Sequence, residues 1–249
     1  MKRASAAGSM PGLADPALQV YLLGSVDFDA VLALQRRLVY QIGGNRTAAA
    51  LVLCEHPPLV TIGRDGSWAH LRCEPGELKA RQWPVRWVNR GGGCVLHLPG
   101  QLAIYPILAL DRLGLGVQDY LDRLGQVLVA LLADFSIRAE AQTAGAGIRV
   151  ADRPIAAVGV AVRDWISYYG AVLNVSPDLQ PFRLVRGETT HGMMTSLARE
   201  RRGPLRPSLV RERLIEHFVA RFEFARTAIF FEDPFLPRKA PSDAVATSS

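Results

Sequence analysis

Cysteine is scarce in this chain of 249 residues: Cys54, Cys73 and Cys94 are scattered and odd in number. That count and spacing argue against a disulfide framework and against a cysteine-ligated zinc site, so no metal or cofactor is expected and a cytoplasmic location is. Long apolar runs are also missing. None approaches the ~18–20 residues that span a bilayer; the longest candidate, Val127 to Leu132, is surrounded by Asp122, Arg123 and Asp134. No membrane partner is expected. The first ten residues carry Lys2 and Arg3 but no apolar stretch behind them, and read as a disordered leader rather than a secretion signal. Repeats, coiled-coil heptads and internal linkers are absent too.

What is present is a globular composition, 49% apolar and 21% charged, in a length that suits one large domain. The net charge is +6, from 29 basic and 23 acidic residues. Much of the excess lies in Arg199, Arg201, Arg202, Arg206, Arg211 and Arg213. A patch of this kind steers acidic partners. Since no nucleic-acid fold signature accompanies it, it reads as a solvated helix face, and no nucleic-acid partner is expected.

Residues 1–15 are small, polar and punctuated by Pro and Gly, and 236–249 are rich in Pro, Ser and Ala. Both are expected to be disordered, leaving a single domain over 16–235. Within it, strands are predicted over Leu18–Leu23, Ala48–Cys54, Leu59–Ile62, Val85–Asn89, Leu102–Leu110, Ile137–Ala141, 147–150, Ile155–Val162 and 166–175. Helices are predicted from Asp27, a plausible N-cap, through Val31, Leu34, Leu38 and Ile42; over Pro75–Gln82; and over Ser208–Phe222. The clearest period is Val117, Leu121, Leu124, Val127, Leu128, Leu131 and Leu132. Helices and strands mix irregularly, which argues for an α+β fold with a mixed sheet flanked by helices. A monomer is expected.

One stretch departs from generic core: Arg90-Gly-Gly-Gly-Cys-Val-Leu-His97-Leu-Pro-Gly-Gln-Leu-Ala-Ile-Tyr-Pro106. Three consecutive glycines remove every Cβ over about 10 Å of extended chain, at roughly 3.3 Å per residue. A ligand or another strand can then approach the backbone closely. An equally ordinary reading makes the glycines a turn, Cys94 a small buried hydrophobe and His97 a satisfied core histidine.

Three segments taken together resemble the octanoyltransferase (lipoyl(octanoyl) transferase) family, within the biotin/lipoate protein ligase fold group. They are Glu55-His-Pro-Pro-Leu-Val-Thr-Ile-Gly-Arg64; Arg90-Gly-Gly through His97, Pro-Gly-Gln-Leu102 and Tyr105-Pro-Ile107, which is similar to a family pattern RGGxxTYHGPGQLxxYPI; and Ile155-Ala-Ala-Val-Gly159 followed by Gly170-Ala-Val-Leu-Asn174 and Pro177-Asp-Leu179. The resemblance implies a biotin/lipoate ligase catalytic-domain-like fold, octanoyl-acyl carrier protein and lipoyl domains as partners, and transfer of octanoyl to a lipoyl-domain lysine through a cysteine thioester. It also implies that the acyl chain is lined by His56; by Arg90, Gly91, Gly92, Gly93, Cys94, Val95, Leu96 and His97; by Ala157, Val158 and Gly159; and by Gly170, Ala171 and Val172. Glycines let backbone amides approach an acyl carbonyl, and an apolar strand holds the tail at ~0.8 kcal/mol per buried methylene.

The chain departs from the family where the chemistry sits. The family's activating lysine falls at Pro154, which carries neither charge nor backbone donor, and the neighbouring Arg153 cannot act as a base. The family's Pro-Cys-Gly is replaced by Arg186-Gly-Glu-Thr-Thr-His-Gly192, one residue shorter and without cysteine. Thr-Tyr before the motif histidine has become Val95-Leu96, and the glycine after it Leu98. Three accounts follow. Cys94 could serve as nucleophile, but only if the chain bends to bring it to His97, since positions three apart in a strand face opposite sides. Glu188 or His191 could act as base for direct transfer. Or the chain is a non-catalytic relative that binds acyl groups, acyl carrier protein or lipoyl domains.

Overall fold

The computed structural model describes residues 17–142, 147–185, 193–201, 203–233 and Leu236. The expected leader over 1–15 lies outside them, as does the expected 236–249 tail apart from Leu236. Strand β1 (Ala17–Ser25) leads into helix α1 (Phe28–Gly44) through the expected cap: Asp27 Oδ1 accepts the Asp29 and Ala30 N–H groups at 2.9 and 3.2 Å, satisfying two first-turn donors. Val31, Leu34, Leu38 and Ile42 are buried on one face of the helix. Then come β2 (Ala48–Glu55), β3 (Leu59–Ile62), α2 (Pro75–Ala80), β4 (Val85–Trp87), β5 (Cys94–His97), β6 (Gln101–Ile107) and α3 (Val117–Asp134). The second half holds β7 (Glu140–Ala141), β8 (Ile148–Val150), β9 (Arg153–Arg163), β10 (Ile166–Asn174), α4 (Leu197–Glu200), α5 (Pro207–Phe222) and β11 (Arg226–Phe230).

Eight strands form the main sheet in the order β11-β1-β2-β6-β10-β9-β8-β7. β1 runs parallel to β2 and β11, and the remaining neighbours are antiparallel, so the sheet is mixed. One face packs on α3 and α5, burying Tyr120, Leu124, Leu128, Leu214 and Phe218 against Leu51, Ile104 and Leu173. The other packs on α1 through Val52, Cys54, Ala103 and Tyr105. Full burial of each large side chain is worth about 1.5–3 kcal/mol, and the two layers make this the stable frame of an α+β domain.

A second sheet of three strands, β4-β3-β5, has its own apolar cluster of Val60, Ile62, Leu78, Cys94, Leu96 and Leu98. Of this sheet β3 and β4 are among the strands predicted from sequence, whereas β5, like β11, is not. β11 is exposed along its whole length at a sheet edge, so no alternation of burial marks it.

Several elements are shorter than predicted. The strand predicted over Ile137–Ala141 pairs only at its last two residues. Ser136 is left-handed (φ 60°) and the Ile137 N–H bonds back to Leu132 O at 3.0 Å, so Ile137 closes the end of α3 and enters the core. Gln82, with φ 55°, stops α2 after Ala80 in the same manner. β4 is shorter than Val85–Asn89, and β6 stops at Ile107 because only one isolated bridge, Ala109 to Ile166, continues its pairing.

Candidate functional site

β3 and β5 pair antiparallel with Leu59 opposite His97 and Ile62 opposite Cys94, so residues 94–97 are a strand rather than a bend. Alternation then separates the two residues that nucleophilic chemistry would need together. Cys94 and Leu96 pack into the small-sheet cluster, and the Cys94 thiol donates to Ser67 O at 3.5 Å. His97 faces the other way, toward Phe28 and His56, with ring centroids at 5.6 Å from each. The meeting of Cys94 with His97 that a covalent route would require does not occur.

The glycines serve backbone against backbone. The Gly91 N–H donates to Val160 O at 2.9 Å, which lays the Gly-rich segment across β9. A Cβ on Gly159 would lie 2.6 Å from Gly91 O, and one on Gly63 would lie 2.2 Å from Gly92 O. Both distances are below any real contact, so glycine at 159 is a condition for the Gly-rich segment to lie on β9, and glycine at 63 for the same segment to lie beside the end of β3. Arg90 fixes this crossing. Its guanidinium is buried and donates to Thr61 O at 3.1 Å, Thr61 Oγ1 at 2.8 Å and Gly91 O at 2.9 Å.

From Arg90 a polar chain runs into the interior. The Thr61 hydroxyl accepts from Arg90 and is hydrogen-bonded to His97 Nε2 at 3.0 Å, so it links the guanidinium to the imidazole. In His56 the partners set the tautomer: its Nδ1–H donates to Val26 O at 2.8 Å and its Nε2 accepts from the Tyr105 hydroxyl at 2.9 Å. Burial pushes both imidazoles below their ordinary value of 6.5; for His97 the charges of His56 and Arg90 push further in the same direction. Burial likewise drives the Tyr105 phenol well above 10.0.

Between the two sheets lies a cavity of about 600 Å³, within the ordinary range for ligand sites. Its walls are mainly apolar, with Val95 from β5, Val117 and Leu121 from α3, Ala157 and Val158 from β9, Val172 from β10, and Phe182, Val185 and Met194 from the following loops. Polar groups come from Arg64, Asp65, Arg90, Gln101 and Asn174. A small adjoining cavity of about 20 Å³, room for about one water, shares Arg90, Val95, Ala157, Gly159 and Val172 with it and adds His97, Tyr105, Tyr169 and Gly170.

Of the residues predicted from sequence, Arg90 to Leu96, Ala157 to Gly159 and Val172 line the main cavity, while His97 and Gly170 line the small one. His56 stands behind His97 and touches neither. Ala171 points into the opposite face, toward the α3 core. Gly170 is needed where it stands, since a Cβ there would meet Ile104 O at 2.1 Å. Glu188 and His191 fall outside the described residues. Pro154 lines the cavity at the start of β9. Sequence reasoning left unassigned Gln101 and Asn174, though both stand inside the quoted motifs, and Val117 and Leu121, whose helical period signalled only core. Among the described residues no group of three His, Cys, Asp or Glu side chains is gathered to hold a metal ion. The basic stretch is partly self-engaged: Arg213 pairs with Glu216 at 2.7 Å, and Arg201 lies 5.1 Å over the Phe135 ring.

The profile described as lipoyl protein ligase A/B catalytic domain matches residues 27–219. The octanoyltransferase of Pseudomonas syringae pv. syringae (strain B728a) is 34% identical over 206 residues, 83% of this chain and 91% of that one. The octanoyltransferase of Geotalea uraniireducens (strain Rf4) is 34% identical over 216 residues, 86% and 93% of the two chains. Among solved structures, P. falciparum LipL1 in complex with lipoate superposes with a TM-score of 0.70 at 14% identity, over 88% of this chain and 67% of that one. A bi-partite lipoate protein ligase from Thermoplasma acidophilum does so with a TM-score of 0.64 at 17% identity, over 86% and 85%. The last two likenesses are of fold.

Proposed function

The chain belongs to the lipoyl protein ligase A/B catalytic-domain family, and from that premise we propose that it acts in lipoate biosynthesis as an octanoyltransferase. It moves octanoyl from acyl carrier protein to a lipoyl-domain lysine, as a monomer. The observation that carries this reading is the cavity itself. The segments that hold the family motif build a slot with apolar walls and a few polar groups, which suits an eight-carbon chain ending in a carbonyl.

Transfer is direct, without a thioester on Cys94. The lysine amine attacks the thioester carbonyl, the N–C bond forms, the C–S bond breaks, and the ammonium proton passes to the departing thiolate. Support for the direct route comes from Cys94, whose thiol is turned into the small-sheet cluster and away from His97. Glu188 and His191 are the base candidates on this route. A second reading rests on Pro154: a proline lines the cavity where the resembled pattern has its lysine, and favours a relative that binds the acyl carrier or lipoyl domain without chemistry.

Incubation with octanoyl-acyl carrier protein and a lipoyl domain, followed by intact-mass measurement of all three proteins, tests both. Direct transfer predicts octanoyl on the lipoyl domain, none on this chain, and an unchanged rate in Cys94→Ala. An octanoyl adduct on this chain that Cys94→Ala removes would refute the direct route. Measurable binding of the carrier with no product would select the second reading.

A further inference from the structure

Gln101 and Asn174 are cross-strand partners on β6 and β10, 4% and 1% exposed, and both line the main cavity. Their orientation is set by a chain of hydrogen bonds running in one direction. The Leu98 N–H donates to Gln101 Oε1 at 2.6 Å, Gln101 Nε2 donates to Asn174 Oδ1 at 2.8 Å, and Asn174 Nδ2 donates to Thr195 O at 2.9 Å. Turning either amide over would set donor against donor or oxygen against oxygen, so neither can flip. Thr195 is itself braced: its N–H donates to Pro154 O at 2.9 Å, its hydroxyl bonds to Glu200, and Glu200 accepts from Arg153 at 2.9 Å.

A carboxamide nitrogen carries two hydrogens. In each of these side chains one is engaged and the other meets no acceptor among the described residues, although the group is buried. A buried donor without a partner is costly, and the open space that both groups border is the cavity. The surfaces beside them, Val172 and Ala157, are apolar. We infer that the two free N–H groups bind the carbonyl oxygen of the acyl thioester, which places Gln101 and Asn174 in contact with the reacting group. Neutral, pre-oriented donors suit an oxygen that is uncharged in the substrate. It gains charge as the N–C bond forms and returns it as the C–S bond breaks. This inference rests on the reading of the cavity as an acyl site.

Two pantetheine derivatives separate the carbonyl from the rest of the ligand: the octanoyl thioester, and the octyl thioether that lacks only the C=O oxygen. Calorimetric titration of the full chain is expected to show the thioester binding about tenfold more tightly, as two neutral hydrogen bonds allow. Gln101→Met and Asn174→Leu should each cut that preference while leaving thioether affinity within about twofold. Equal affinity of the unaltered chain for both ligands, or an equal loss for both in the variants, would overturn the proposal and leave the amides a purely structural role. Binding of neither ligand to the unaltered chain would instead sink the acyl reading of the cavity, and this inference with it. A readout without variants is the infrared stretch of a ¹³C-labelled thioester carbonyl. Bound to the unaltered chain it should fall below its position in alkane, and a band at the alkane position would refute the contact.

Discussion

Alanine at Gly159 adds a single methyl group, and its effect follows from the packing of the two sheets. Glycine inside a strand is ordinarily worse than alanine by roughly 0.5–1 kcal/mol, so the unconstrained expectation is a gain in stability. Here the new Cβ would meet Gly91 O at 2.6 Å and Arg90 Cδ at 3.1 Å. The first obstacle is backbone, held by the Gly91–Val160 hydrogen bond at 2.9 Å and by Arg90, so it cannot swing aside as a side-chain tip would. Overpacking of this type costs up to about 3 kcal/mol. Setting that against the ordinary gain leaves a net loss of about 2 kcal/mol, and at 2–4 °C per kcal/mol for a domain of this size Tm should fall by roughly 4–8 °C. Scanning calorimetry of Gly159→Ala beside Gly91→Ala is the assay. At Gly91 the nearest atoms to an added Cβ are at 3.5 and 3.7 Å, ordinary contact, so that variant should stay within about 1 kcal/mol of the parent. A Gly159→Ala protein as stable as the parent, or more so, would refute the claim that backbone contact at this crossing shapes the cavity.

Two further outcomes follow from the same geometry. Gly91→Leu has room for its Cβ but directs a branched chain into the cavity; excluding about four methylenes at ~0.8 kcal/mol each should weaken binding of octanoyl thioester by about 200-fold, with Tm little changed, and unaltered affinity in titration would place the acyl chain elsewhere. The second outcome concerns pH: His56 and His97 are both held below 6.5 by burial, so in this range the unfolded chain takes up protons that the folded one refuses. Their effect is absent well above pH 6.5 and grows as the pH falls below it, at up to about 1.4 kcal/mol per pH unit for each imidazole. Urea midpoints between pH 7.5 and 5.5 should therefore decline on acidification, and His97→Gln should flatten the decline. A profile that His97→Gln leaves unaltered would show that His97 titrates freely in the folded state.

Local periodicity carried most of the frame. The Asp27 cap, the 3.6-residue stripe of α3 and the apolar runs of β2, β9 and β10 were legible because their buried faces repeat within one element. β11 was not, since a fully exposed edge strand has no buried face to repeat. Nor was β5, the strand that completes the small sheet beside β3, because it has four residues and begins directly after three glycines. Among the site residues, Arg90 and Gly159 stood out in the motif, yet the sequence alone cannot say that each is the reason for the other. Gln101 and Asn174 are 73 positions apart, and only the pairing of β6 with β10 makes them neighbours.

What the order of residues determined unaided was the family, the α+β frame and the segments from which the site is built, all of which depend on near neighbours and recurring spacing. Tertiary structure alone decided which way those segments face. It turned Cys94 from His97, pressed Gly91 onto Gly159, sent Ala171 to the far side of the sheet and aligned two distant amides along one wall. The reason is that a strand offers two faces, and the side that receives the cavity is chosen by what packs against the other.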